Sequence, residues 1–106
     1  MIKIKIVRNS DQNIVEFGVT GHANMGPHGQ DIVCAGVSAL TQTAVLGLDR
    51  HLGTKIHLNI ASGNLKMSLL DNPDPLTNAV LETMLIGLTE IAESNPQSVR
   101  IFEHRR

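Results

Sequence analysis

Ile2, Ile4 and Ile6 alternate with Lys3 and Lys5 at the start of the chain, the two-residue period of a strand with one dry face and one wet face. The polar run 9–13 reads as a turn. A second alternating stretch follows, with Val15, Phe17 and Val19 on one face and Glu16, Gly18 and Thr20 on the other. Beyond a glycine-bearing segment the period changes. Val33, Val37, Leu40, Ala44 and Leu48 recur at helical spacing, which predicts a helix capped by Asp31 and running to about Arg50. Gly53 closes that unit.

The second half follows the same plan. Ile56, Leu58 and Ile60 alternate with polar neighbours, residues 62–64 supply a turn, and Leu65, Met67 and Leu69 return as the partner strand of a hairpin. Asp74 followed by Pro75 marks a helix start. Val80, Leu81, Met84, Leu85, Leu88, Ile91 and Ala92 form a wide apolar stripe opposite Asn78, Glu82, Thr89 and Glu93. Asn95 and Pro96 end it, and Val99, Ile101 and Phe102 suggest a last short strand. The expected order is ββαββαβ, an α+β fold with two helices packed on a mainly antiparallel five-stranded sheet. Ile86 falls on the polar side of the second helix and the first helix carries few charges, both hints of a further contact surface such as a homodimer.

Composition narrows the class. The chain has 106 residues, 42% of them apolar and 18% charged, which suits a single domain spanning residues 1–106 with one core. Nine basic and ten acidic residues leave a net charge of −1, so no overall electrostatic attraction for nucleic acid is expected. Phe17 and Phe102 are the only aromatics, too few for a base-stacking platform, and no direct nucleic-acid partner is expected. A single cysteine excludes an internal disulfide. The alternating N-terminus is unlike a signal peptide, and the least charged run, 32–48, is short and polar for a membrane span. These features predict a reduced, soluble, cytoplasmic domain with no membrane partner.

The candidate chemistry sits in TGHANMGPHGQDIVCAGVS, residues 20–38. A lone cysteine is often a small core hydrophobe. If Asp31 is the cap, however, Cys34 occupies the first helical turn, where unpaired N–H groups and the helix dipole favour a thiolate and could hold an oxyanion. His22 enters from the second strand and could exchange a proton with that thiol. Both readings of Cys34 stand on these residues alone. Asp31 is a cap or an imidazole-orienting carboxylate. Ser38, one turn beyond Cys34, lines a pocket or bonds back to its own helix. Gly21, Gly26 and Gly29 make a substrate loop or an ordinary surface loop. His22, His28, Asp31 and Cys34 could in principle ligate a metal, but their spacing matches no common zinc pattern, so neither a metal nor a cofactor is expected.

The GHA sequence, the short glycine-bearing loop and GQDIVCAGVS resemble the signature of Prp, a bacterial family of ribosomal-processing cysteine proteases. The likeness extends to the length, the element order and ETMLIGLTEIAE in the second helix. The resemblance implies a cysteine endopeptidase that removes the N-terminal extension of large-subunit ribosomal protein twenty-seven after a hydrophobic, Phe-containing sequence. It implies Cys34 as nucleophile, His22 as general base, Asp31 and Ser38 as supporting residues, a segment 23–30 that closes around substrate, and a homodimer. Family loops often carry an aromatic residue near the place of His28, a departure that bears on how substrate is gripped. The alternative class is a non-enzymatic, ribosome-associated binding module, and a third is a metal or thiol sensor.

Overall fold

A computed structural model describes the backbone of residues 1–21 and 28–106, with side chains for all of these except 28–31. The elements run β1 (Ile2–Arg8), β2 (Ile14–Thr20), α1 (His28–Leu46), a π-helical turn (Gly47–His51), β3 (Ile56–Ala61), β4 (Asn64–Leu69), α2 (Pro75–Ser94) and β5 (Val99–Arg105). The expected α+β order is therefore present. The five strands form one sheet in the order β3-β4-β2-β1-β5. All neighbours pair antiparallel except β1 and β5, which run parallel with Ile2 opposite Val99 and Lys5 opposite Phe102.

The alternation read from the sequence matches the face buried by β1, β2, β4 and the start of β5, whereas the edge strand β3 leaves Leu58 and Ile60 exposed. Ile2, Ile4 and Ile6 of β1, Phe17 and Val19 of β2, Leu65, Met67 and Leu69 of β4 and Val99 of β5 point to the helical side and are buried. Val37, Ala44, Val45 and Leu48, with Leu81, Met84 and Leu88 of α2, close over them as one core cluster. Burying a large aliphatic side chain contributes about 1.5–3 kcal/mol, so these rows outweigh any local propensity. The helices pack closely on each other because Gly87 and Gly36 leave room for Leu40 and Ile91, respectively.

Helix α2 starts as expected. Asp74 accepts hydrogen bonds from the Leu76 and Thr77 amides at 2.9 Å each, while Thr77 Oγ1 accepts from the Asp74 amide at 3.0 Å. This reciprocal capping box satisfies amides that have no partner within the helix. Across the sheet, Arg8 ties three elements together. Its guanidinium donates to Glu82 of α2 at 2.7 and 3.2 Å, to Glu103 of β5 at 2.7 Å and to the Gln12 carbonyl at 2.8 Å. The hydrogen bond to Glu82 raises the Arg8 pKa further above its already high ordinary value, with burial opposing the shift.

Three expectations change. Helix α1 begins at His28, so Asp31 lies inside it and does not precede it as an N-cap, and Gly29 belongs to the helix and not to a loop. The α-helical run ends at Leu46, and residues up to His51 form a π-helical turn. Finally, Ile32–His51 is long and apolar enough, by length and composition, to cross a membrane, contrary to the expectation for the shorter run 32–48. Its buried stripe of Val37, Thr41, Ala44, Val45 and Leu48 packs in the protein core, the arrangement of a core helix.

Candidate active site

Cys34 faces a small cavity at one end of the sheet where four distant parts of the chain meet. Its walls come from Met1 and Ile2 at the start of β1, Gly21 at the end of β2, Val33 and Cys34 of α1, and Gln97 and Ser98 of the turn before β5. The sheet register explains the meeting. The Ile2 amide donates to the Ser98 carbonyl at 2.8 Å, which draws the α2–β5 turn beside β1. Lys3 pairs with Thr20, so Gly21 follows directly alongside Ile2. The Gly21 amide then donates to the Gly63 carbonyl at 2.9 Å, tying the end of β2 to the β3–β4 turn.

Gly21 is the residue this junction requires. Its φ of +83° lies in the left-handed region, which side chains other than glycine resist. A Cβ built there would also run into the Met1 carbonyl oxygen. The backbone therefore makes a tight, directed turn immediately before His22.

The thiol is half-buried, packed partly against the core and partly on the cavity. The cavity holds about 30 Å³, room for water or one small group. The described residues thus supply a floor under the sulfur rather than a full peptide cleft.

The structure brings together only part of the expected constellation. Cys34 and Gly21 share the cavity wall. His22 and Gly26 lie outside the described residues, as do the side chains of His28 and Asp31, and with them both the proposed dyad and the alternative metal set. Ser38 is one turn past Cys34, and its Oγ accepts from Gln42 Nε2 at 2.8 Å; the bond is to a side chain, not to the helix backbone. The first-turn argument for Cys34 does not hold. It is the seventh residue of α1, about 9 Å along the axis from the helix start at 1.5 Å per residue, and dipole effects fade within the first turn. The unpaired amides of the helix N-terminus lie upstream at 28–31.

Gln97, Ser98, Met1 and Ile2 were not anticipated by sequence reasoning. Gln97 and Ser98 lie more than sixty positions beyond Cys34, and no motif connects them to it. Only the parallel β1–β5 pairing does.

Comparison with known proteins matches this architecture. A family model described as cysteine protease Prp matches residues 1–100. The ribosomal processing cysteine protease Prp of Bacillus subtilis (strain 168) is 33% identical over 107 residues, covering 95% of this chain and 96% of the relative. The Prp of Staphylococcus aureus (strain Mu50) is 30% identical over 104 residues, covering 95% and 97%. Among solved structures, an essential S. aureus ribosomal processing protease Prp in complex with a substrate peptide superposes with a TM-score of 0.91 at 27% identity, covering 97% of this chain and 99% of that one. SMU.848 from Streptococcus mutans gives 0.90 at 28% identity, covering 100% and 96%. The S. aureus protease is also known with a covalently linked product peptide.

Proposed function

This chain belongs to the Prp family of ribosomal-processing cysteine proteases, and from that premise we propose that it is an endopeptidase in which Cys34 and His22 form a catalytic dyad. The imidazole takes the thiol proton as Sγ attacks the scissile carbonyl. It then returns that proton to the departing amine, leaving a thioester on Cys34. Water, deprotonated by the same imidazole, adds to the thioester; collapse releases the carboxylate product and restores the thiol.

The observation that carries this reading is that Cys34 and Gly21 wall the same cavity. His22 follows Gly21 directly in the sequence, so the residue read as the general base is the next one in the chain after a wall of the sulfur's own cavity. The covalently linked product peptide of the S. aureus relative supports a nucleophilic route in preference to direct attack by water. We assign Asp31, Ser38, Gly26 and Gly29 supporting roles around this centre. The substrate is the N-terminal extension of a large-subunit ribosomal protein, cut after a hydrophobic, Phe-containing sequence, within a single cytoplasmic domain.

A homodimer fits the same reading. Ile32 and Ile86 are each 67% exposed, and Leu46 and Leu76 also face outward from the helical layer. An apolar groove lined by Ala39, Leu40, Ala79, Val80 and Met84 runs between α1 and α2, a surface suited to self-association.

The test is cleavage of a peptide spanning the extension. Cys34→Ala should abolish turnover, and His22→Ala should remove most of it while leaving the circular dichroism spectrum and melting curve unchanged. Wild-type cleavage by Cys34→Ala would overturn the assignment. Tight peptide binding without turnover by the wild-type protein would favour the binding-module alternative.

A further inference from the structure

The face of the sheet away from the helices gathers charge that the overall balance conceals. Strand register lines up Arg100, Lys3, Thr20 and Asn64 in one row, and Phe102, Lys5, Gly18, Lys66 and Asn59 in the next. All of these side chains except the intermediate Gly18 are exposed. Arg106 extends the basic side and reaches Glu16 at 3.5 Å, with Lys66 at 3.8 Å from the same carboxylate. Among the described residues, Lys3, Lys5, Lys66, Arg100 and Arg106 thus face a single acid, Glu16, on a chain whose net charge is −1. Among the described residues, Glu82 and Glu103 pair with Arg8 on the helical side, Glu90 and Glu93 lie on α2, and Asp49 lies in the π-helical turn after α1. The sheet is basic and the helical side acidic.

This basic face is also shaped. A shallow depression of about 320 Å³ lies over Gly18, flanked by Lys5, Lys66 and Phe102. Phe102 is 42% exposed, so an aromatic ring stands among the cations on an otherwise polar surface. Lysines two residues apart on a strand are spaced about 7 Å along it, and neighbouring strands add steps of about 5 Å across it. This array can contact several successive phosphates while a base stacks on the ring.

We propose that this open sheet face binds single-stranded RNA, through the backbone phosphates at Lys3, Lys5, Lys66 and Arg100 and through stacking of one base on Phe102. The inference does not depend on the peptidase reading, because none of these residues lines the Cys34 cavity. A second copy of the chain is a poor occupant, since a two-fold contact would set these cations against themselves. Ile32, Leu46, Leu76 and Ile86 expose apolar side chains on the helices, and Leu58 and Ile60 do so on the helical side of β3, whereas Phe102 is the one large apolar side chain exposed on this face among the described residues.

The experiment measures fluorescence anisotropy of a labelled short single-stranded RNA with the full-length protein across a salt series. Heparin, polyglutamate and anionic phosphatidylserine vesicles serve as competitors. Wild type should bind RNA saturably, with affinity falling as salt rises. Lys3→Gln combined with Lys5→Gln should lower the slope of log affinity against log salt by about 1.4, at roughly 0.7 per phosphate contact. Phe102→Ala should weaken RNA about tenfold without changing the affinity for heparin itself, and Arg50→Gln on the other side should leave binding intact. Peptidase turnover should be unchanged in these variants, which separates failure here from failure of the dyad. Absence of saturable RNA binding at low salt would overturn the proposal. So would equal losses from Arg50→Gln and the double lysine variant, no effect of Phe102→Ala, or polyglutamate or vesicles competing as well as RNA itself.

Discussion

Gly21→Ala probes the junction at the wall of the Cys34 cavity, one residue before His22 in the sequence. Two penalties act at this position. An L-residue held at φ +83° costs about 1–2 kcal/mol. The new methyl also meets the Met1 carbonyl oxygen, a backbone atom that cannot rotate away as a side chain would, adding about 1–2 kcal/mol of overpacking. Gly53→Ala separates the two. Gly53 has φ +62°, and nothing lies within 4 Å of the position a Cβ would take, so it carries the backbone penalty alone, about 1 kcal/mol. At about 4–8 °C per kcal/mol for a chain of this size, Gly53→Ala should lower Tm by roughly 5 °C and Gly21→Ala by about 10–20 °C. The activity contrast should be sharper. Relief of the Gly21 clash displaces the cavity wall beside Cys34 and, on the proposed dyad, the residue that precedes its base; a displacement of about 1 Å at a catalytic group can cost 10²-fold. Gly21→Ala should therefore lose about two orders of magnitude in kcat/KM at a temperature where it remains folded, while Gly53→Ala keeps the wild-type value. Matching Tm and kcat/KM in the two variants would refute the close-approach argument.

Other consequences of the packing are directly measurable. Arg8→Ala removes a bidentate pair to Glu82 and a second pair to Glu103. With the Arg8 side chain only 19% exposed but its partners more open, urea unfolding should show a loss of about 1–2 kcal/mol. Arg8→Lys should recover less than half, because an ammonium cannot reproduce the fork. Gly87→Ala gains helix propensity of about 1 kcal/mol but sets a Cβ 2.9 Å from Leu40 Cδ1, whose flexible end can shift, so its Tm should stay near wild type. Gly87→Val cannot be accommodated that way and should cost about 2–3 kcal/mol; an unchanged melting curve would show that α1 and α2 are not held at this spacing.

Much of the fold was legible because alternation and helical stripes are local signals. Ile2, Ile4 and Ile6 announce a half-buried strand wherever it ends up, and Asp74 with Thr77 builds its cap from residues three apart. The start of α1 was misread for an equally local reason. Asp31 is a favourable cap residue, yet the helix continues back to His28, and that shift moves Cys34 from the first turn to the second. The last strand, expected to be short, runs on past Phe102: His104 and Arg105 are strand residues paired with Val7 and Arg8.

The sequence alone determined which face of β1, β2, β4 and the two helices is buried, the order of elements, and the singling out of Cys34 beside a histidine-bearing segment; the apolar row of β3 stays largely exposed because that strand lies at the sheet edge. Periodicity names a face but not the neighbour across from it, so tertiary structure decided that β5 lies parallel to β1 and that Gln97 and Ser98 therefore wall the thiol's cavity. Net charge is a sum without positions. Only the strand register turned a near-neutral chain into one with a basic sheet and an acidic helical layer.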